Sequence, residues 1–410
     1  MLLRELTLVD GDGSRRGDLR VADGELVAVG DLEARDDESV VDLPDVVALP
    51  GLVDAHVHFS LSGERTVDEV AAMGDAELAL VEARNARATL ESGVTGVRAM
   101  GARDVDVRVR DRIDDGDVPG PRTVANCRSI TATGGHGHHL GREITGPTDA
   151  RRAVREQSKL GAEFIKFMVT GGVTTPGTDP DAVALTDAEL DALVDEANRH
   201  GMHTATHAHG AAGVKAAVGA GVDTVEHGTF LDGEAIDLML AGDVTLVPTL
   251  SAPYHIVRNV EAATEDVRRK TEHVYERHID SFRRAVEAGV RIAGGTDAGT
   301  PFNMHGGNAA EVAFMSEYGM TTSEAIEAMT ATAADVIGLD GQGTLEPGTD
   351  ADLLLCSTDP VEDPTALNDP SVVIQGGEVV AGGDPELRRA VADAVRGEAD
   401  SDREPVTTRP

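Results

Sequence analysis

The sequence predicts an α/β protein: a (β/α)8 TIM barrel with a small composite β-sandwich domain assembled from both termini. Three observations predict it. From about residue 51 to 339, eight strand-like apolar runs alternate with helical patterns, as parallel strands joined by crossover helices do. The two flanks read instead as short strands between Asp-Gly and Gly-Asp turns. Histidines and one aspartate recur where the central runs end, and a barrel carries its chemistry at the C-terminal ends of its strands. A doubly wound open sheet is the competing arrangement, but no glycine fingerprint for a dinucleotide or a P-loop follows the first central strand.

In chain order, residues 1–50 supply the first part of the β-domain, with strands over Leu2–Val9, Leu19–Val21 and Leu26–Val29. The barrel, residues 51–339, has strands over Leu52–His58, Val94–Arg98, Thr123–Ile130, Glu163–Val169, His203–His207, Thr224–His227, Val244–Val247 and Arg291–Ala293. Helical periodicity covers Ala76–Ser92, Asp149–Leu160, Asp187–His200 and Glu265–Ala288. Residues 340–385 return to the β-domain, with Leu353–Leu355 followed by a hairpin over Val372–Ile374 and Glu378–Val380. Residues 386–410, rich in Asp, Glu, Arg, Pro and Thr, are expected to be a disordered acidic tail.

A formal net charge of −37 argues against nucleic acid and anionic membranes as partners. Apolar residues make up 40% of the chain and are interleaved with the carboxylates, so a packed core under an acid-coated surface is expected. In composition that surface resembles proteins of salt-accumulating halophiles, and its self-repulsion predicts a fold that weakens at low salt. No stretch has the apolar length of a membrane helix, and Met1–Asp10 lacks a signal-peptide core. Cys127 and Cys356, the only cysteines, fit a reducing compartment. A cytoplasmic protein acting on a small molecule is the expectation.

Lys166 is one of four lysines and sits inside the apolar run Glu163-Phe164-Ile165-Lys166-Phe167-Met168-Val169. A buried ammonium is costly and loses its proton readily. The neutral amine can add carbon dioxide to form a carbamate, an oxygen ligand for metals. A strand-edge lysine reaching to water is the plain alternative. The histidines weigh against it. His56-Val57-His58 places both imidazoles on one strand face. His207-Ala208-His209 ends the fifth strand, Glu226-His227-Gly228 the sixth and Gly294-Gly295-Thr296-Asp297 the eighth. Asp297 alone could cap a following helix. Five of 14 histidines at three strand ends point instead to a site for zinc or a similar divalent ion.

Pro50-Gly51-Leu52-Val53-Asp54-Ala55-His56-Val57-His58 resembles the signature of the amidohydrolase superfamily, and the later motifs follow in the order of its binuclear members. The resemblance covers nearly the whole chain. It is closest to the prolidase-like and imidazolonepropionase-related branch, through the Gly134-Gly135-His136-Gly137 loop, Ile165-Lys166-Phe167 and Thr206-His207-Ala208-His209-Gly210. That resemblance implies two divalent metal ions, zinc by default. His56, His58 and Asp297 would hold the more buried ion, and His207 and His227 the more exposed one. Lys166, carboxylated by CO2, and a hydroxide would bridge them. Asp297 would take the hydroxide's proton and pass it to the leaving nitrogen.

The implied reaction is cleavage of an amide C–N bond in dipeptides or N-acyl amino acids, of Xaa-Pro or Xaa-Arg dipeptidase type. Cyclic amide hydrolysis of imidazolonepropionase or hydantoinase type and phosphotriester or lactone hydrolysis are the alternatives. The full set of six ligands argues against a non-enzymatic scaffold, and the absence of a deaminase-type glutamate near His209 argues against a deaminase. His136, His138, His209 and Tyr254 are candidate substrate contacts. Gly171–Gly177 reads as a mobile loop able to gate entry. His200, His255, His273, His278 and His305 read as surface or structural, with His273 and His278 solvated on an Arg/Glu-rich helix. Association into a homo-oligomer is common in the resembling family.

Overall fold

The computed structural model describes residues 1–11, 13–63 and 67–397. They form two compact units. One comprises residues 1–54, 87–96 and those from 306 onward; the other comprises residues 55–86 and 97–305.

In the first unit, strands from both termini share one sheet. Its order is Glu378–Ala381, Val372–Gln375, Leu353–Cys356, Val47–Pro50, Leu2–Asp10, Gly13–Ala22 and Glu25–Gly30, with Val40–Asp42 paired to Leu2–Asp10. Period-2 alternation sets the register. Leu353 lies opposite Ile374 and Leu355 opposite Val372, and all four are fully buried in one core with Leu6, Leu8 and Leu26.

The expected disordered tail begins as a helix. Pro385–Val395 is capped by Asp384, whose carboxylate accepts the Glu386 and Leu387 N–H groups. Leu387, Ala390, Val391 and Ala394 recur at helical spacing and pack into the same core as the sheet. Acidic composition hides that stripe, because the charges occupy only the helix's other faces. The rest of the tail, residues 398–410, lies outside the described residues.

The second unit is α/β. Its parallel strands follow the order Arg142–Ile144, Ile130–Ala132, Phe164–Met168, His203–Gly210, Thr224–Phe230 and Thr245–Val247. Arg122–Ala125 and the ends of strands Leu52–Val57 and Val94–Ala99 that lie in this unit belong to a three-stranded sheet. Helices Pro147–Leu160, Asp187–Arg199, Ala211–Ala220, Gly233–Ala241 and Glu265–Ala288 alternate with strands. Asp187–Arg199 starts on a Thr186–Glu189 capping box, and Glu265–Ala288 stops at Gly289 in the left-handed conformation.

Two expected strands differ. Thr123–Ile130 is split into Arg122–Ala125 and Ile130–Ala132, because side chains replace the ladder between them. The Arg128 N–H donates to the Gln157 side chain, and Asn126 and Ser129 donate to the Met100 carbonyl. Arg291–Ala293 is not a regular strand; Ile292 makes a single parallel bridge to Leu246. Main-chain bonds continue from there. Ala55 N–H donates to the Gly294 carbonyl at 2.9 Å and Asp297 N–H to the His56 carbonyl at 2.7 Å, which ties Asp297 to the first strand. Among the described residues no helix is long and apolar enough to cross a membrane.

Candidate active site

The strand ends of the second unit converge on a cavity of about 120 Å³. His56, His58, Lys166, His207, His209, His227 and Asp297 line its floor. Parallel register brings them level: Met168 pairs with His207, and Ala208 with His227. All except His58 are buried.

Asp297 Oδ1 lies 3.3 Å from His56 Nε2 and 3.2 Å from His58 Nε2. His56, His227 and Asp297 each offer a ligand atom within 4.8 Å of the others. This tightest group joins two residues expected on one ion with one expected on the other. His227 and Asp297 both hold positive φ, at 72° and 58°, and so does Thr249 at 54°, whose hydroxyl is 2.7 Å from His227 Nδ1. Left-handed backbone at a non-glycine residue costs on the order of 1–3 kcal/mol and concentrates at functional sites.

Behind the floor stands a buried network that joins Glu226, from the Glu226-His227-Gly228 run, to residues that no sequence motif marks. His56 Nδ1 donates to Glu226 Oε2 at 2.6 Å, which leaves Nε2 as the lone pair facing the cavity. Glu226 Oε1 accepts from Arg98 at 2.9 Å and from the Thr224 hydroxyl at 2.5 Å, and Arg98 Nε donates to the Ala55 carbonyl at 2.8 Å. Burial would raise the Glu226 carboxyl, but Arg98, then Lys166 and His56, outweigh it and hold the group at about 2. Glu226 adjoins a strand-end histidine in sequence; Arg98 is one arginine among many, and only its burial distinguishes it.

Burial opposes ionisation of Asp297 too, yet His56 and His58 hold its carboxyl well below the ordinary range. Desolvation keeps His207, His209 and His227 well below the usual imidazole range and lowers His58, so their lone pairs are available. His207 Nε2 donates to the Gly171 carbonyl at 3.1 Å, leaving Nδ1 as its free donor atom. Burial pushes the Lys166 ammonium down to about 8, and its Nζ has no hydrogen-bond partner. An orphaned buried amine among neutral imidazoles and one carboxylate is a donor set that fits divalent ions with a carbamate.

The loop after the Lys166 strand is pinned. Lys270 donates to the Gly172 and Thr175 carbonyls at 3.3 and 2.8 Å. Thr175 Oγ1 lies 2.8 Å from His136 Nδ1. A Cβ on Gly172 would stand 2.4 Å from the His136 ring, so only glycine lets the loop approach that histidine. His136 lines the cavity with its ring centroid 4.4 Å from that of His207, and burial pushes its pKa down to about 3.

Two candidate contacts lie off the cavity lining, and the expected exposure of His278 is corrected. His138 bonds the Gly135 carbonyl through Nδ1 at 3.0 Å and does not line the cavity. Tyr254 does not line it either. Its segment is the helix Ser251–Arg258, so Pro253 and Ile256 face the cavity while Tyr254 turns toward Arg258, 5.2 Å from its ring. His278, expected on a solvated face, is 3% exposed and bonded at both ring nitrogens.

The amidohydrolase family model matches residues 47–380. Ochratoxinase of Aspergillus niger is 30% identical over 417 residues, which span 92% of this chain and 85% of that protein. Imidazolonepropionase of Nocardia farcinica is 26% identical over 343 residues, spanning 76% and 78%. A crystal structure of a Xaa-Pro dipeptidase with bound methionine in its active site superposes with a TM-score of 0.85 at 35% identity, covering 93% of this chain and 99% of that one.

Proposed function

We propose that this chain, which belongs to the amidohydrolase family, cleaves the amide C–N bond of a dipeptide or N-acyl amino acid. The observation that carries the reading is the unpartnered Lys166 amine at the floor of a cavity that His56, His58, His207, His227 and Asp297 also line. The likeness to a Xaa-Pro dipeptidase and to ochratoxinase supports it.

Divalent ions, zinc by default, held by His56, His58, His207, His227 and Asp297 with carboxylated Lys166 between them, would polarise the scissile carbonyl and make hydroxide available at neutral pH. Asp297, anionic and tied to the His56 backbone, accepts the proton and returns it to the leaving nitrogen. Glu226 and Arg98 hold His56 in the tautomer that presents Nε2. Leu61, Met168, Val173, Ile256 and Val274 form an apolar wall suited to an apolar side chain of the substrate.

Two architectural readings accompany this. The parallel strands are read as one closed eight-stranded barrel, supported by the main-chain bonds from residues 291–297 to Leu246 and to the first strand. The terminal strands are read as a composite β-sandwich. Two free, buried cysteines and the acidic surface support a cytoplasmic protein adapted to high salt.

The test is amine release from a panel of dipeptides and N-acyl amino acids by zinc-loaded protein in molar KCl with bicarbonate. Turnover lost in Lys166→Ala and Asp297→Asn is expected. Folded, metal-loaded protein inert on the whole panel but active on a cyclic amide would replace this reading.

A further inference from the structure

We infer that His209 is a substrate-binding residue presenting a fixed hydrogen-bond acceptor, and that Thr229 and His278 are positioning residues that set its tautomer. The inference rests on the peptide-hydrolase reading only for the identity of the substrate group.

The direction of each hydrogen bond follows from its neighbour. The Pro248 carbonyl can only accept, so His278 Nε2, 2.7 Å away, carries a proton. His278 is buried on the helix Glu265–Ala288, its bonding partners are a carbonyl and a hydroxyl, and no counter-charge bonds it. Burial pushes it down to about 4, so the ring is neutral and Nδ1 is a lone pair. The Thr229 hydroxyl, 2.9 Å from that Nδ1, must donate to it. A hydroxyl has a single proton, so toward His209 the same oxygen can only accept. His209 Nδ1, 2.7 Å away, therefore carries the proton, and its Nε2 does not. Ser281 locks the relay in place. It donates to the Thr229 carbonyl at 2.7 Å and accepts the Leu231 N–H at 3.1 Å.

His209 lines the cavity beside His207 and His227, at ring-centroid distances of 4.6 and 4.9 Å. A bare imidazole nitrogen held there takes a hydrogen-bond donor and disfavours a carbonyl or carboxylate. Asp297 is the carboxylate of the lining and Lys166 its sole lysine, with no arginine among the lining residues. An unblocked dipeptide carries such a donor in its free α-ammonium, which an N-acyl amino acid lacks. That narrows the substrate class: dipeptides are favoured over the corresponding N-acyl amino acids.

The experiment uses the zinc-loaded full chain labelled with 15N-histidine. Long-range 1H–15N spectra are expected to show His209 protonated at Nδ1 and bare at Nε2, with His278 protonated at Nε2. Thr229→Val should release His209 from that tautomer, and Thr229→Ser should restore it. In kinetics, Thr229→Val should raise KM for an unblocked dipeptide about tenfold and change kcat less than about threefold, while KM for the N-acetylated counterpart moves less than about twofold. His209 found protonated at Nε2, a zinc-dependent shift marking Nε2 as a metal ligand, or an equal KM rise for both substrates would each overturn the inference. If no peptide is turned over, the functional reading fails, while the spectra still decide the tautomer.

Discussion

Lys166 and Lys270 are both buried lysines of the same unit, and their surroundings are opposite. Lys270 donates to the Gly172 and Thr175 carbonyls and pairs with Asp266 at 2.9 Å. Lys166 has nothing to donate to, and burial pushes it down to about 8. The acids repeat the contrast. Glu226 accepts from His56, Arg98 and Thr224 and is held at about 2. Glu82, equally buried, has both carboxylate oxygens unpartnered, and desolvation and then Asp106 push it well above the ordinary range. Burial therefore does not identify a reactive group. What separates a structural charge from one awaiting a proton, carbon dioxide or a metal is whether the fold supplies partners.

The largest effect expected from this contrast is at Lys166. Lys166→Ala should lower kcat/KM by roughly a thousandfold or more and abolish the 13C carbamate signal after incubation with labelled bicarbonate. Lys270→Met should leave turnover measurable. Its cost falls on the pinned loop, with about 1–3 kcal/mol lost in urea unfolding because two buried carbonyls lose their donor. Equal loss of turnover in the two variants would break the comparison.

Glu226→Gln comes next. It keeps the shape but removes the charge that fixes His56, and should weaken metal retention or activity by about 10–100-fold, read as metal content after dialysis.

Glu82 and the neighbouring buried Asp106 predict a pH effect. Burial raises Asp106 from 3.8 to about 7, so the folded state keeps a proton that the unfolded chain releases. This contribution is fully present below pH 3.8 and is lost as pH rises through about 7. Arg103, the cation beside the pair, offsets it in part. The Tm of wild-type protein should fall over that window more steeply than the Tm of Glu82→Gln, measured in constant molar KCl. Parallel profiles would show that the pair is not a proton-linked site.

The smallest effect expected is at Tyr254. Since its ring packs against Arg258 and is not among the lining residues of the cavity, Tyr254→Phe should change kcat/KM less than about twofold. A tenfold change would return it to the site.

Much of the site was legible because its signals are local. His56, His58, His207 and His227 stand at or near strand ends, and Asp297 follows the apolar run Arg291–Ala293; such places follow from apolar runs and turns within a few residues. Lys166 stood out as a cation inside such a run. Tyr254 was singled out by residue type, while the helix that begins at Ser251 decides which residues face inward. The tail misled because composition averages over faces that a helix separates.

By itself, the sequence determined the alternation of strands and helices, the pairing of both termini in one sheet, and the ligand-type residues at the strand ends. All of these are patterns of period two or 3.6 punctuated by turns. Only the tertiary structure decided which buried groups are partnered. Glu226 meets His56 across 170 residues and Arg98 across 128, and Thr229 meets His278 across 49. Desolvation and hydrogen bonding depend on what arrives from such distances. A residue's neighbours in sequence therefore carry its conformation, while its protonation state is set by neighbours in space.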